Sequence, residues 1–222
     1  FYVYPPIDDA PEPAPSTAST PGEVTFGSFN NPAKLNSEVI ALWSEVLCAV
    51  PRSRLLLKYT GIFGCPEVCE TFRSKFEAHG VDPNRLAFLS QKEARSAHLS
   101  RYEQVDIALD PFPFNGATTT FEALWMGVPV VSLAGETFNS RIAGSILHHA
   151  GLGELVVETP EAYVACAREL AGDLTRLGTL RTTLRERIAN SPLCDAPTYA
   201  RNVETAYRDM WRTWCTQLQS TA

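Results

Sequence analysis

A short polar loop near the middle of the chain carries residues suited to binding a phosphate. It contains Asn115 and Gly116, and three threonines follow at residues 118–120, with Glu122 close behind. Asn-Gly lets the backbone turn sharply, and the threonines then begin a predicted helix. Free N–H groups, hydroxyls and the helix dipole at such a terminus attract an anion. We therefore predict a phosphate site at this loop.

Glu122 needs a different role, because its carboxylate would repel a phosphate unless it faced elsewhere. A ribose diol requires such a hydrogen-bond acceptor, so we expect Glu122 to bind sugar hydroxyls. We also expect its side chain to be accessible to solvent when no ligand is bound. On the loop alone an alternative stays open, in which the threonines cap a helix and Glu122 favours its first turn.

Two lysines follow other predicted strands, Lys34 after the first and Lys92 after the third. The carboxyl ends of parallel strands share one edge of a sheet, so both lysines are expected to reach the threonine loop and neutralise a diphosphate. Each lysine alone is typical of a solvated surface. Their shared placement favours the phosphate role. His98 lies one to two turns into the helix predicted after Lys92, within reach of a bound base.

The sequence lacks the motifs of several other nucleotide-binding classes. It contains neither a Walker loop nor Gly-x-Gly-x-x-Gly, which disfavours an NTPase or a dinucleotide dehydrogenase. An Asp-x-Asp pair, which would hold a divalent ion on a diphosphate, is also missing. We therefore expect binding without a metal ion and without a cofactor, through lysines, hydroxyls and helix N-termini.

Six short apolar runs alternate with longer helical patterns, and these elements must position the polar loops. The predicted strands are 24–30, 54–59, 85–90, 105–109, 129–133 and 155–158. Helices are predicted at 37–50, 66–79, 92–102, 118–126 and 139–149, and then at 161–172, 174–190 and 198–218. Continuous apolar strands are typical of a sheet covered on both faces. The alternation predicts a Rossmann-like, doubly wound parallel α/β sheet with extra C-terminal helices.

The two ends of the chain differ from this pattern. Residues 5–22 contain six prolines, a composition that predicts an extended connector at residues 1–23. The compact domain, residues 24–222, is then expected to begin near Val24. The last predicted helix carries an apolar stripe that either covers an interface with another lobe or packs within this domain. Its members are Tyr199, Val203, Ala206, Tyr207, Met210, Trp211 and Trp214.

The composition excludes several classes of partner. With 222 residues and a formal net charge of −6, the chain has no global basic field for duplex nucleic acid. No stretch reaches the roughly 18 apolar residues that a membrane span needs. The six cysteines are scattered, which favours reduced thiols in a cytoplasmic protein over a disulfide framework or a zinc site. The N-terminus has neither a start methionine nor a signal peptide, and we expect a longer parent protein.

Several motifs together resemble a known family. They are VTFGSFNNPAK at 24–34, FNGATTTFEALWMGVPVV at 114–131, and GET at 135–137 followed by Ser140 and Arg141. In order and spacing they resemble the C-terminal catalytic lobe of the O-linked N-acetylglucosamine (O-GlcNAc) transferases, including SPINDLY-like and bacterial relatives. The similarity runs from about Pro5 to Trp214, nearly the whole chain.

The resemblance implies a fold and a set of site residues. The family fold is GT-B, two Rossmann-like lobes with the donor held mainly by the C-terminal lobe. Lys34 would be the catalytic residue in contact with the UDP diphosphate. Asn31 would also contact the donor, at a position where the family often has glutamine. The residues implied for the nucleoside are Lys92, Arg95 and His98, and those for the phosphates are Gly116, Thr118 and Thr119. Glu122 would bind the ribose in place of an aspartate. Ala117 departs from the histidine of animal members, and Arg95 and His98 hold their two residue types in exchanged order.

The implied activity is transfer of N-acetylglucosamine from UDP-GlcNAc to Ser or Thr of proteins in the cytoplasm. The protein acceptor would bind through an upstream lobe and tetratricopeptide repeats. Two alternatives stay open, a glucosyl- or fucosyltransferase of the same superfamily and a non-catalytic module that binds a nucleotide sugar. The isolated chain is expected to transfer no sugar, because one lobe cannot hold donor and acceptor in reactive geometry.

Overall fold

Six strands form one parallel sheet in the computed structural model, which describes residues 3–15 and 18–220. The strands are β1 (Thr25–Ser28), β2 (Arg54–Lys58), β3 (Leu86–Leu89), β4 (Ile107–Leu109), β5 (Val130–Leu133) and β6 (Val156–Val157). Their order is β3-β2-β1-β4-β5-β6, with every neighbouring pair parallel. From β1 the chain first adds strands on one side, β2 and β3, and then on the other side, β4 to β6. The boundary between β1 and β4 is therefore the switch point, where doubly wound sheets bind ligands. The predicted fold class is confirmed.

Eight α-helices lie in the described part of the chain. They are α1 (Ser37–Ala49), α2 (Pro66–Glu77), α3 (Arg95–Ser100), α4 (Thr118–Trp125), α5 (Ile142–His149), α6 (Pro160–Gly172), α7 (Leu174–Ala189) and α8 (Ala196–Ser220). All eight predicted helices are present. α1 packs on α6 and α4 packs on α7, so helices cover the apolar strands. Within these residues no helix is both long and apolar enough to cross a membrane.

Two helices begin later than the sequence suggested. α3 begins at Arg95 rather than at residue 92, because the Glu93 side chain turns inward to the ammonium of Lys58 and the guanidinium of Arg101. That contact holds the preceding loop against the end of β2. α5 begins at Ile142 rather than at residue 139, because Ser140 closes a turn by hydrogen bonding to the backbone of the preceding residues.

The register between β1 and β4 is held by groups beside the strands. Asp106 lies directly before β4, and its Oδ2 accepts a hydrogen bond of 2.8 Å from the backbone N–H of Thr25. Gly27 of β1 has no room for a side chain, since a Cβ there would lie 2.5 Å from Cγ2 of Val105. These contacts bring the ends of β1 and β4 side by side, and the loops that follow them therefore meet.

The described residues before β1, 3–15 and 18–24, form no helix or strand, and several of them pack onto the domain. Ile7 is only 3% exposed. The Tyr4 ring stacks on Phe121 with 4.3 Å between centroids, and the Tyr4 N–H donates to the carbonyl of Leu193. The packed core therefore reaches upstream of Val24, where the sequence placed its start. A proline-rich segment without a core of its own can still cover apolar surface that the folded domain presents.

The second half of α8 leaves its apolar stripe in solvent. Tyr207, Met210, Trp211 and Trp214 are 66%, 57%, 66% and 55% exposed. The alternative in which this stripe packs within the domain is therefore wrong for these four residues. An exposed row of large apolar side chains is typical of a surface that another protein segment covers.

Replacing both Trp211 and Trp214 with alanine should change the free energy of unfolding by less than about 0.5 kcal/mol, because exposed side chains contribute little to stability. Fully buried Trp43 on α1 is the matched control, and Trp43→Ala should cost about 3–5 kcal/mol. Urea denaturation followed by circular dichroism measures both. A loss of more than about 1 kcal/mol in the double variant would show that the stripe packs on this domain after all.

Candidate functional site

The loops after β1 and β4 meet at the switch point of the sheet. Lys34, from the first loop, donates hydrogen bonds to the carbonyl of Asn115 at 2.9 Å and to Oδ1 of Asn30 at 3.1 Å. The hydroxyl of Thr119 donates to the same Asn30 oxygen at 3.0 Å. The structure thus brings Lys34 to the threonine loop, as the parallel topology predicts. Its ammonium also lies 4.5 Å from the centroid of the Phe114 ring.

The start of α4 presents backbone N–H groups that no side chain caps in the described chain. Its N-cap residue is Ala117, whose methyl side chain cannot accept hydrogen bonds from them. The alternative in which the threonines merely cap the helix is therefore wrong. Thr118 is exposed at this terminus, while Thr119 reaches across to Asn30. The first turn of a helix carries partial positive charge, so this end and the Lys34 ammonium favour the same kind of ligand, an anion.

Asp110 lies beneath this loop and sets its shape, a role that the sequence did not suggest. Its Oδ1 accepts from the N–H of Gly116 at 2.7 Å, and its Oδ2 accepts from the hydroxyl of Ser132 at 2.7 Å. Gly116 is required here because a Cβ would lie 2.6 Å from Oγ1 of Thr119 and 2.7 Å from Oγ1 of Thr120. At the turn into α4, the backbone of Gly116 therefore lies directly against the hydroxyls of these two threonines.

Burial dominates the electrostatics of this acid. It raises the pKa of Asp110 to about 7, although the hydrogen bonds from Gly116 and Ser132 and the charge of Lys34 act in the opposite direction. Burial likewise lowers the pKa of Lys34, against the opposing effect of Asp110. Each of the two charges partly offsets the desolvation of the other.

Glu122 lies one turn further along α4 and is buried, with 8% of its surface exposed. The expectation of an accessible carboxylate is therefore wrong. The His98 ring lies against it, with 3.3 Å between Nε2 of His98 and Oε2 of Glu122. Tyr102, just after α3, donates its hydroxyl to the carbonyl of Thr119 at 3.3 Å. Burial and the Glu122 charge raise the pKa of Tyr102, so this hydroxyl stays protonated and serves as a donor.

The remaining predicted residues lie at the border of this cluster. Arg95 is exposed at the first residue of α3, and Lys92 is exposed in the loop before it. Neither joins the hydrogen-bonded cluster formed by the described residues. Asn31 accepts from the N–H of Ala33 at 3.0 Å and so caps the short 3-10 turn that turns Lys34 toward the site.

Lys58 is a second residue that the sequence analysis missed. It ends β2, is 2% exposed, and places Nζ 2.8 Å from Nδ1 of His98. The available signal was a lysine closing an otherwise apolar strand, RLLLK. Across residues 3–15 and 18–220, no three His, Cys, Asp or Glu side chains come together as metal ligands would.

The buried acid predicts a specific dependence of stability on pH. The folded-state pKa of Asp110, about 7, lies above the ordinary value of 3.8. Between these values the folded chain binds one more proton at this site than the unfolded chain, so its contribution to stability falls as pH rises. Asp110→Asn keeps the shape and cannot ionise. We therefore expect the free energy of unfolding of Asp110→Asn, relative to that of the natural chain, to rise by roughly 2–4 kcal/mol between about pH 4 and about pH 8.

Urea denaturation at the two pH values measures this difference. Asp209→Asn, at an exposed site on α8, is the control. Its difference in unfolding free energy from the natural chain should change little between the two pH values. A difference between Asp110→Asn and the natural chain that is the same at both pH values would contradict the assignment.

Comparisons with known proteins agree with this geometry. Residues 18–203 match the model of the family described as Glycosyl transferase family 41. The chain is 43% identical over 215 residues to the SPINDLY protein of Petunia hybrida, covering 97% of this chain and 23% of that protein. It is 32% identical over 192 residues to the UDP-N-acetylglucosamine–peptide N-acetylglucosaminyltransferase of Caenorhabditis elegans, covering 85% of this chain and 16% of that protein. A solved structure of a variant O-GlcNAc transferase from Thermobaculum terrenum matches with a TM-score of 0.81 and 39% identity, covering 96% of this chain and 40% of that one.

The chain thus spans less than a quarter of the length of the curated relatives it matches. Its fold is that of one Rossmann-like lobe of a GT-B glycosyltransferase. The matched residues include both loops at the switch point and the whole of α4. The chain belongs to glycosyl transferase family 41.

Proposed function

We propose that this chain is the nucleotide-sugar-binding lobe of a protein O-GlcNAc transferase and that it binds UDP-GlcNAc without a metal ion. One observation carries the proposal: Lys34 and the uncapped start of α4 meet at the switch point, with Glu122 one turn further along the same helix. The named activities of the relatives from Caenorhabditis elegans and Thermobaculum terrenum support this donor and a protein acceptor.

The diphosphate would bind where the two positive features converge. The Lys34 ammonium is half-buried, so its attraction for a phosphate is screened less than that of a surface lysine. The hydroxyl of Thr118 and the first N–H groups of α4 would supply hydrogen bonds to the phosphate oxygens. When the sugar is transferred, UDP leaves and negative charge grows on its terminal phosphate. Lys34 and the α4 dipole are placed to stabilise that charge, which is the catalytic role we assign to Lys34.

The nucleoside would bind beside the diphosphate, along α3 and α4. Thr118 and Glu122 are four residues apart and so share one face of α4. The carboxylate of Glu122 offers acceptors to the two ribose hydroxyls, and His98 and Arg95 border the space for the base. Phosphate and ribose are neighbours in a nucleotide, so their spacing matches a single helical turn.

The acceptor side of the reaction would come from elsewhere in the parent protein. We propose that an upstream lobe and tetratricopeptide repeats hold the Ser or Thr acceptor, and that the exposed stripe of α8 faces that lobe. All six cysteines are free thiols, which supports a cytoplasmic parent. The chain alone offers one wall of the cleft, so we expect it to bind donor without transferring sugar.

UDP should bind this chain in the presence of EDTA, because Lys34 and the α4 terminus supply the positive charge that a metal ion would otherwise provide. Calorimetric titration with and without magnesium should give dissociation constants within about twofold of each other. That difference is well below a tenfold change, which corresponds to about 1.4 kcal/mol of binding free energy. Binding that appears only with magnesium or manganese would rule out the metal-free proposal.

Two lysine variants, one test and one control, extend that titration. Lys34→Met should weaken UDP by about 1.5–3 kcal/mol, the usual worth of a hydrogen bond to a charged group. Lys75→Met, at an exposed position on α2, should leave the affinity unchanged. Titration with UDP-glucose and GDP-fucose in the same series decides between the donors, because tighter binding of either would favour the corresponding transferase.

Glu122→Ala should weaken UDP and uridine by about 1–3 kcal/mol, because a charged acceptor for the ribose hydroxyls is lost. Inorganic pyrophosphate should bind as before, since Lys34 and the start of α4 are unchanged. Glu161→Ala is the matched control, because Glu161 is an exposed glutamate in the first turn of α6. Normal uridine binding by Glu122→Ala would leave Glu122 with a structural role only.

A further inference from the structure

Lys58 is a buried cation outside the contacts proposed for the ligand. Its side chain is 3% exposed at the end of β2, and burying an ammonium group costs free energy unless partners replace its hydration. Three groups surround its Nζ. They are Oε2 of Glu93 at 3.4 Å, Nδ1 of His98 at 2.8 Å, and the Phe29 ring with its centroid at 5.7 Å. One of these partners, His98, also contacts the candidate site.

The contact with Lys58 determines which ring nitrogen of His98 carries the proton. An ammonium group has three donors and no acceptor, so Nδ1 of His98 must accept from it. A neutral imidazole that accepts at Nδ1 carries its proton on Nε2. A proton on Nδ1 would instead point directly at the Lys58 charge.

The other side of the ring selects the same tautomer. Nε2 of His98 lies 3.3 Å from Oε2 of Glu122, and an ionised carboxylate only accepts hydrogen bonds. Lys58, His98 and Glu122 therefore form a chain in which every hydrogen bond runs in one direction. Because Oε2 contacts His98, the other carboxylate oxygen of Glu122, Oε1, is left to accept from a different donor.

We propose that Lys58 is a positioning residue for nucleoside binding: it fixes His98 as the Nε2–H tautomer, and His98 in turn orients Glu122 toward the ribose. The ribose step rests on the proposed function, whereas the tautomer does not. Lys58 touches no ligand in this arrangement and acts only through the histidine.

Glu93 holds the lysine in place for this role. The Nε of Arg101 donates to Oε1 of Glu93 at 2.8 Å, leaving Oε2 for Lys58. The same carboxylate keeps residues 92–94 out of α3, so the loop and the ammonium are anchored together. If Lys58 only neutralised Glu93, removing it would leave the protons of the His98 ring unchanged, since Glu122 still accepts from Nε2. The two roles therefore differ in how the ring responds to the loss of Lys58.

Nitrogen-15 NMR of the histidine rings in the ligand-free chain tests the tautomer, with His98 assigned by comparison with a His98→Asn sample. At about pH 7 the natural chain should show a proton on Nε2 and none on Nδ1. In Lys58→Met the ammonium that excludes a proton from Nδ1 is lost, while the carboxylates of Glu93 and Glu122 remain nearby and favour a charged ring. Nδ1 should therefore gain a proton while Nε2 keeps its own, whereas Lys58→Arg should keep the natural pattern. A protonated Nδ1 in the natural chain, or an unchanged Nδ1 signal in Lys58→Met, would overturn the proposal.

Binding measurements on the same variants test the consequence for the ligand. Where a histidine binds a metal, losing the group that orients it costs about 10–100-fold in affinity, and we expect about tenfold for UDP and uridine in Lys58→Met. Pyrophosphate should bind unchanged, and Lys58→Arg should restore uridine. Equal losses for uridine and pyrophosphate would show a structural role alone. Failure of the natural chain to bind UDP would count against the proposed function, while the NMR result would still decide the role of Lys58.

Discussion

The carboxylate of Asp110 is the group on which the geometry of the site depends. It accepts hydrogen bonds from Gly116 and from Ser132 of β5, while its backbone carbonyl accepts from the hydroxyl of Tyr163 on α6. These bonds tie the loop after β4 to the neighbouring strand and to a covering helix. Because Lys34 donates to the carbonyl of Asn115 in the same loop, the cation and the start of α4 are both positioned by this one buried acid.

A buried acid at this place is costly, which fits a site that has a function beyond stability. Its raised pKa shows that desolvation outweighs the hydrogen bonds and the nearby lysine. Such perturbed groups concentrate where proteins hold ligands and perform chemistry. Lys34 feels the charge of this acid and donates to the carbonyl of Asn115 in the loop that leads into α4. An anion bound there would add a charged partner for the ammonium in a region of low dielectric.

α4 connects the region around Lys34 and Thr118 with the region around Glu122 and His98. Its apolar residues, such as Phe121 and Leu124, are buried against the core, and the helix packs on α7. That packing fixes the rotation of the helix about its axis. The direction of Thr118 and of Glu122 therefore follows from which residues of α4 are apolar. Through Glu122 and His98, the same helix is linked to Lys58 at the end of β2.

The sequence by itself determined the elements and the edge of the sheet at which they place polar residues. Apolar runs and helical periodicity are local properties, so all six strands and all eight helices were found, with boundaries shifted by a few residues. The shared edge of parallel strands was enough to predict that Lys34 meets the threonine loop, although 81 residues separate Lys34 from Asn115.

Only the tertiary structure decided how the side chains at that edge pair. Glu122 is buried with the His98 ring of α3 against it, and α3 begins late because Glu93 turns toward Lys58. Asp110 supports a turn that it precedes by six residues. Lys58 and His98 are 40 residues apart, and His98 and Glu122 are 24 apart. The energies of such contacts depend on burial and on exact distances between elements, and these quantities exist only once the sheet and its helices have packed together.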